Sequence, residues 1–264
     1  MAPVSTLLPP IEYWHGIKQA LTENKCTVIS ASVPPSGSIE ERAAKLAADI
    51  LAQTAASLDD GAGAPRDGQV PTVNIIAHSM GGLDARYMIS RLRPPNIKIA
   101  SLVTVATPHR GSPFADYLVE CGAGPIHLPR LYGVIRRAGL GTSAFGQLTT
   151  RYMREEFNPR VQDDASVRYF SYGAAIDEPS LLGAFRLPYG VVGRLEGEND
   201  GLVSVESSRW GTYKGTLMGV SHLDLINWSN RAAWTMREWM GVRRTFNAVA
   251  FYLDVADMLA KEGL

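Results

Sequence analysis

The chain has 264 residues, 45% hydrophobic and 20% charged, and its 26 basic and 26 acidic side chains cancel. This is ordinary globular composition. A neutral chain gives no electrostatic reason to expect nucleic acid or an anionic membrane as partner. No stretch approaches the roughly 18 apolar residues that span a bilayer, and residues 1–10 lack the charged-then-apolar pattern of a secretory signal. The expectation is one α/β domain over residues 1–264 of an intracellular protein, cytoplasmic or mitochondrial, with Cys26 and Cys121 as reduced, buried thiols.

Ile11 to Thr22 follows helical spacing, and Val28–Val33 reads as a short strand. Ser36 to Glu41 opens a helix with a hydroxyl cap and early carboxylates, running to about Ser57. Residues 59–70 are a loop rich in Gly, Ala and Pro. A strand begins at Thr72, and the helix after Ser79 runs to about Arg93, where Pro94-Pro95 ends it. Ile97 to Ala106, apolar and β-branched, reads as a parallel strand covered on both faces. Residues from about 119 to 159 are Gly- and Pro-rich, without a sheet pattern and too long for an ordinary loop. They read as a helical lid or cap, or else as extra structural helices. Strand patterning returns at Val167–Ala174 and Val191–Glu196, and Arg231–Leu264 is helical. The alternation argues a mostly parallel α/β sheet with helices on both faces. No Gly-rich dinucleotide loop follows any strand.

The residues Ala77-His78-Ser79-Met80-Gly81 sit between an apolar strand and a helix, the arrangement of a nucleophile elbow. So sharp a turn wants small flanking residues, which Ala77 and Gly81 are, and it leaves the Met80 N–H as an oxyanion donor. A serine needs a base, itself oriented by a carboxylate. On this topology the chain order is serine, acid, histidine. His15 precedes the serine, and His78 adjoins it with its side chain directed away from the hydroxyl. His109 reads as a pocket wall, and His127 falls in the lid region. His222 remains as the base. For the acid, Asp84 and Asp116 lie on helices, and Asp163 and Asp164 in a polar loop. Asp200 stands in a turn after the Val191–Glu196 strand, at the edge where ligands bind. Asp177 and Glu178 are the runners-up.

The strings Tyr13–Leu21, Ala77–Tyr87, Thr107–Ser112, Asn199–Ser204 and Ser221–Trp228 together resemble the bacterial true-lipase family and its fungal triacylglycerol-lipase relatives. The resemblance implies the α/β-hydrolase fold, with Ser79 as nucleophile, Asp200 as acid, His222 as base and the Met80 N–H as one oxyanion donor. It also implies a mobile lid at about 119–159 over an acyl pocket, and hydrolysis of long-chain acyl glycerol esters with transient contact at a lipid interface. Phospholipid or thioester substrates are the alternatives, and no organic cofactor is expected. The bacterial relatives hold calcium near the histidine through carboxylates, one of them two residues after it, where this chain has Asp224. A second carboxylate would fall near Asp177 or Glu178.

In that family a strand ending in His-Gly precedes the segment matching Tyr13-Trp14 and supplies the second oxyanion N–H. Residues 1–12 are Pro-rich and lack such a strand, and His15-Gly16 falls inside the following helix. The expectations are an N-terminally truncated chain, a loop that replaces the donor, or a weak or non-catalytic lipid-binding protein of the same fold.

Overall fold

The computed structural model describes residues 13–34, 37–59, 70–121, 142–177, 185–227 and 246–264. Four strands form one sheet: β1 (Thr72–His78), β2 (Lys98–Val105), β3 (Arg168–Ala175) and β4 (Thr212–Met218). They are hydrogen-bonded in that order and all parallel. Side chains alternate between faces along a strand, and β2 shows this plainly. Val103 and Val105 pack with α1 (Ile17–Glu23) and α6 (Ala248–Lys261), whereas Leu102 packs with α2 (Ile39–Asp59) and α3 (Gly81–Tyr87). Every β2 residue from Ile99 to Val105 is buried, as a strand covered on both faces should be. A third apolar cluster joins Met80 and Leu83 to α4 (Pro113–Glu120) and α5 (Arg186–Glu196).

Several expectations need correcting. Val28–Val33 belongs to no ladder, because a strand exists only with a partner and none pairs with it among the described residues. It lies along α2 instead: the Ser32 N–H donates to Asp49, and Gln53 donates to the Ser30 carbonyl. Val191–Glu196 is the second half of α5, not a strand. Pro188 and Val192, four residues apart, are the buried positions, and packing against α4 overrides the β-branched composition. The first helix begins only at Ile17, because Trp14 (φ 64°) and Gly16 (φ 72°) take left-handed conformations. His15-Gly16 therefore precedes the helix. Cys26 is half-buried and Cys121 exposed, and both are free thiols. Strand β4 was not anticipated at all. The expected C-terminal helix is present as Ala248–Lys261, while residues 231–245 lie outside the described residues.

Of the region expected as a lid, residues 122–141 lie outside the described residues. The part from Thr142 to Arg160 is a run of short helical turns. Phe145, Leu148, Met153 and Phe157 are buried there, and the Thr150 N–H and hydroxyl both donate to Asp116 of α4. Among the described residues no helix is long and apolar enough to cross a membrane.

Helices α2 and α3 are tied by a buried ion pair. The Arg42 Nε lies 3.1 and 3.0 Å from the two Asp84 oxygens, and a terminal guanidinium nitrogen lies 2.8 Å from Oδ2. Burial pushes the Asp84 carboxyl up to about 6, against the pull of the Arg42 charge. Breaking such a pair from one side strands the other charge in the interior. Arg42→Met is expected to lower the unfolding free energy by about 3–5 kcal/mol, measured by denaturant titration.

Candidate active site

Strand β1 ends at His78, and the chain turns at once into α3. Ser79 takes up the turn with φ 56°, a region that residues with a Cβ enter at a cost. The Ser79 N–H donates to the Val105 carbonyl at 3.0 Å. The Ser79 carbonyl accepts from the Thr107 hydroxyl at 2.7 Å and from the Gly82 N–H at 3.1 Å. Met80 immediately precedes α3, so its N–H lies at the end of the helix where backbone donors lack intrahelical partners. The close approach that demands glycine is at Gly82 rather than Gly81. A Cβ on Gly82 would stand 2.2 Å from the Thr107 hydroxyl, whereas one on Gly81 would lie 3.9 Å from its nearest neighbour.

The structure brings the three side chains expected from the sequence into one line. His222 Nε2 lies 2.9 Å from Ser79 Oγ, and His222 Nδ1 lies 2.7 Å from Asp200 Oδ2. All three are buried. The other Asp200 oxygen accepts from the N–H groups of Leu202 (3.0 Å) and Val203 (2.8 Å), so the carboxylate has no freedom to swing. The His222 N–H donates to the Asp200 carbonyl at 3.0 Å, joining the two residues a second time. The sheet carries both loops. The Ile176 N–H donates to the Asn199 carbonyl and the Val220 N–H to the Ala175 carbonyl, just beyond and at the end of β3. Asp200 thus sits at the carboxyl edge as expected, although a helix, not a strand, leads into it.

The remaining candidates fall elsewhere. Asp177 is exposed, with its carbonyl accepting from the Tyr189 hydroxyl, while Glu178 and His127 lie outside the described residues. His109 is no pocket wall. It is buried under Trp210, at 3.0 Å from the Thr104 hydroxyl and 3.5 Å from a guanidinium nitrogen of Arg86. Burial, with help from the Arg86 and Arg110 charges, holds its pKa well below 6.5. The Arg86 guanidinium lies 3.7 Å from the Trp210 ring centroid and donates to Asn158 and to the Val161 carbonyl. The His15 carbonyl accepts from Asn227. The His78 ring packs on that of His222, a closeness that the sequence reading did not foresee.

Asp224 is engaged as a local cap. Its Oδ2 accepts from the Ser221 N–H at 3.0 Å and from the Ser221 hydroxyl at 2.6 Å. Among the described residues, no group of three His, Cys, Asp or Glu side chains is placed to hold a metal ion. Glu178, one of the further carboxylates expected near Asp224, lies outside the described residues.

Beside Ser79 and His222 opens a narrow apolar pocket lined by Phe114, Ala115, Phe145, Leu148, Leu202 and Val203. Its one further hydroxyl, that of Ser112, is spent on the Leu202 carbonyl. No strand pairs with the outer edge of β1 among the described residues, so no second oxyanion donor is found there.

A parallel sheet with a strained serine at one strand's carboxyl end, and an acid and a histidine following in that order, defines an α/β-hydrolase. The comparisons agree. A family model described as a PGAP1-like alpha/beta domain matches residues 45–120. Triacylglycerol lipase 2 of Saccharomyces cerevisiae is 40% identical over 268 residues, covering 98% of this chain and 76% of that protein. A triacylglycerol lipase of Vibrio cholerae is 28% identical, covering 97% of this chain and 84% of that one. The crystal structure of Staphylococcus hyicus lipase superposes with a TM-score of 0.66 at 19% identity, over 99% of this chain and 93% of that chain. The chain belongs to the triacylglycerol lipase family.

The two glycines make the elbow testable. Gly82→Ala must displace Thr107 and is expected to cost about 1–3 kcal/mol or more, with loss of esterase activity. Gly81→Ala is expected to melt within a few degrees of wild type and keep its activity. Thermal melts and ester assays of the two variants, side by side, check both.

Proposed function

We propose that the protein hydrolyses long-chain acyl esters of glycerol through an acyl-serine intermediate. The observation that carries this is the unbroken line Ser79 Oγ–His222–Asp200 opening on an apolar rather than a charged pocket. Ser79 Oγ attacks the ester carbonyl while His222 Nε2 takes its proton, and the carbonyl oxygen becomes an oxyanion beside the Met80 N–H. The tetrahedral intermediate collapses, the C–O bond to the alcohol breaks, and His222 returns the proton to the leaving oxygen. A water then repeats the sequence on the acyl-serine, releasing fatty acid and restoring the hydroxyl. Asp200 stays ionised throughout, holding the His222 tautomer and balancing its transient charge.

The acyl chain lies along Phe114, Phe145 and Leu148, where the pocket offers no hydrogen-bonding group that would favour a polar substrate. Relatives named as triacylglycerol lipases support glycerol esters as the alcohol side. Residues 119–159 are proposed to include the cover of that pocket, and the substrate is proposed to be met at a lipid interface.

Two measurements test this reading. Ser79→Ala is expected to abolish both ester hydrolysis and labelling by a fluorophosphonate, and Asp200→Asn to lower kcat by about 10⁴. Unchanged labelling in Ser79→Ala removes the assignment. Ala115→Leu, which narrows the pocket, is expected to cost about 10-fold or more on dodecanoyl p-nitrophenyl ester while sparing the acetyl ester. Equal effects on the two esters place the acyl chain elsewhere.

A further inference from the structure

His78, the last residue of β1, is buried, and among the described residues neither of its ring nitrogens has a hydrogen-bond partner. A buried imidazole without well-formed partners is costly, and the His222 backbone, though close enough to interact with the His78 ring, makes no well-formed bond to it. What its ring does touch is the ring of His222: the centroids are 4.5 Å apart with the planes inclined by 46°. The Tyr13 ring stands 6.3 Å away.

His222 is held at two points, Nε2 by Ser79 and Nδ1 by Asp200. Both bonds lie in the plane of the ring, so together with the Cβ–Cγ bond they resist small tilts of the ring only through their directionality. A ring packed against the imidazole opposes such tilting directly. We propose that His78 is a positioning residue for His222: its flat ring is the wall that sets the tilt of the base and aims Nε2 first at Ser79 Oγ and then at the leaving-alcohol oxygen. This rests on the reading of Ser79 and His222 as nucleophile and base.

The charge state suits the task. Burial, and then the neighbouring His222, hold the His78 pKa well below 6.5, so the wall is neutral when His222 takes its proton. Tyr13, whose hydroxyl burial pushes up to about 12, is neutral as well. A protonated wall would oppose the imidazolium that the reaction forms.

The experiment compares His78→Ala, His78→Met and His78→Phe with wild type and Ser79→Ala. It measures hydrolysis of octanoyl p-nitrophenyl ester, the rate of fluorophosphonate labelling, and thermal melting. In His78→Ala and His78→Met, kcat is expected to fall about 10- to 100-fold with KM within about threefold, and labelling to slow in parallel. His78→Phe, which restores a flat ring, is expected to recover most of the rate. A folded His78→Ala or His78→Met with wild-type kcat overturns the proposal, as does a His78→Phe no faster than His78→Met. Should His78→Ala alone fail to fold, the comparison of Phe with Met decides, since both fill the site. Loss of the fold in all three makes His78 a packing residue and also overturns the proposal. Wild-type protein that never labels overturns the nucleophile assignment and this proposal together, whereas a labelled, active His78→Ala beside a dead Ser79→Ala overturns this proposal alone.

Discussion

A serine hydroxyl can stand clear of a sheet edge only if its backbone leaves the strand abruptly, and at Ser79 this is done at φ 56°. For a residue with a Cβ that conformation costs about 1–3 kcal/mol. The neighbours that offset it come from β2 and the loop after it. Val105 accepts the Ser79 N–H, and the Thr107 hydroxyl donates to the Ser79 carbonyl, filling the space a side chain on Gly82 would need. The segment Thr107–Ser112 therefore supports Ser79 from outside its own strand. Its His109 is spent on Thr104, Arg86 and Trp210, which pins the loop from below.

The loops of Asp200 and His222 are both anchored at the end of β3. The Asn199 carbonyl meets Ile176, just past the end of β3, and Val220 meets the Ala175 carbonyl. The two loops bond to each other through one backbone and one side-chain contact. With Leu202 and Val203 N–H groups on its free oxygen, the carboxylate is a fixed point against which the imidazole is oriented. Burial matters here because charge–dipole interactions are strong where water is excluded.

How much of this was legible in the chain differs from element to element. The elbow and the order Ser79, Asp200, His222 were, because the chemistry requires particular residue types in a particular order. Strand β2 was legible from a continuous apolar run. Strand β4 was not: Thr212–Met218 has only half-buried and exposed positions, so it carries no period to read. Val191–Glu196 misled because its composition suits a strand while its burial follows a helix. Val28–Val33 misled in the opposite way, being strand-like in sequence without a neighbour to pair with. The ion pair Arg42–Asp84 and the tilted ring contact of His78 and His222 join residues far apart in the chain, and no local pattern reports those.

The double tie between Asp200 and His222 has a mechanical consequence. Two loops bonded to one another and to the end of β3 move together or not at all, since separating them breaks the orientation of the base. Room for a bulky ester therefore cannot be made by parting the acid from the histidine. It has to be made across the pocket by side-chain rearrangement of Phe114, Phe145 and Leu148, because the backbone there is tied as well, by the Ser112 N–H to the Leu148 carbonyl and by Thr150 to Asp116. One wall of the cleft is thus braced like a vice jaw, and the opposite wall yields through its side chains alone.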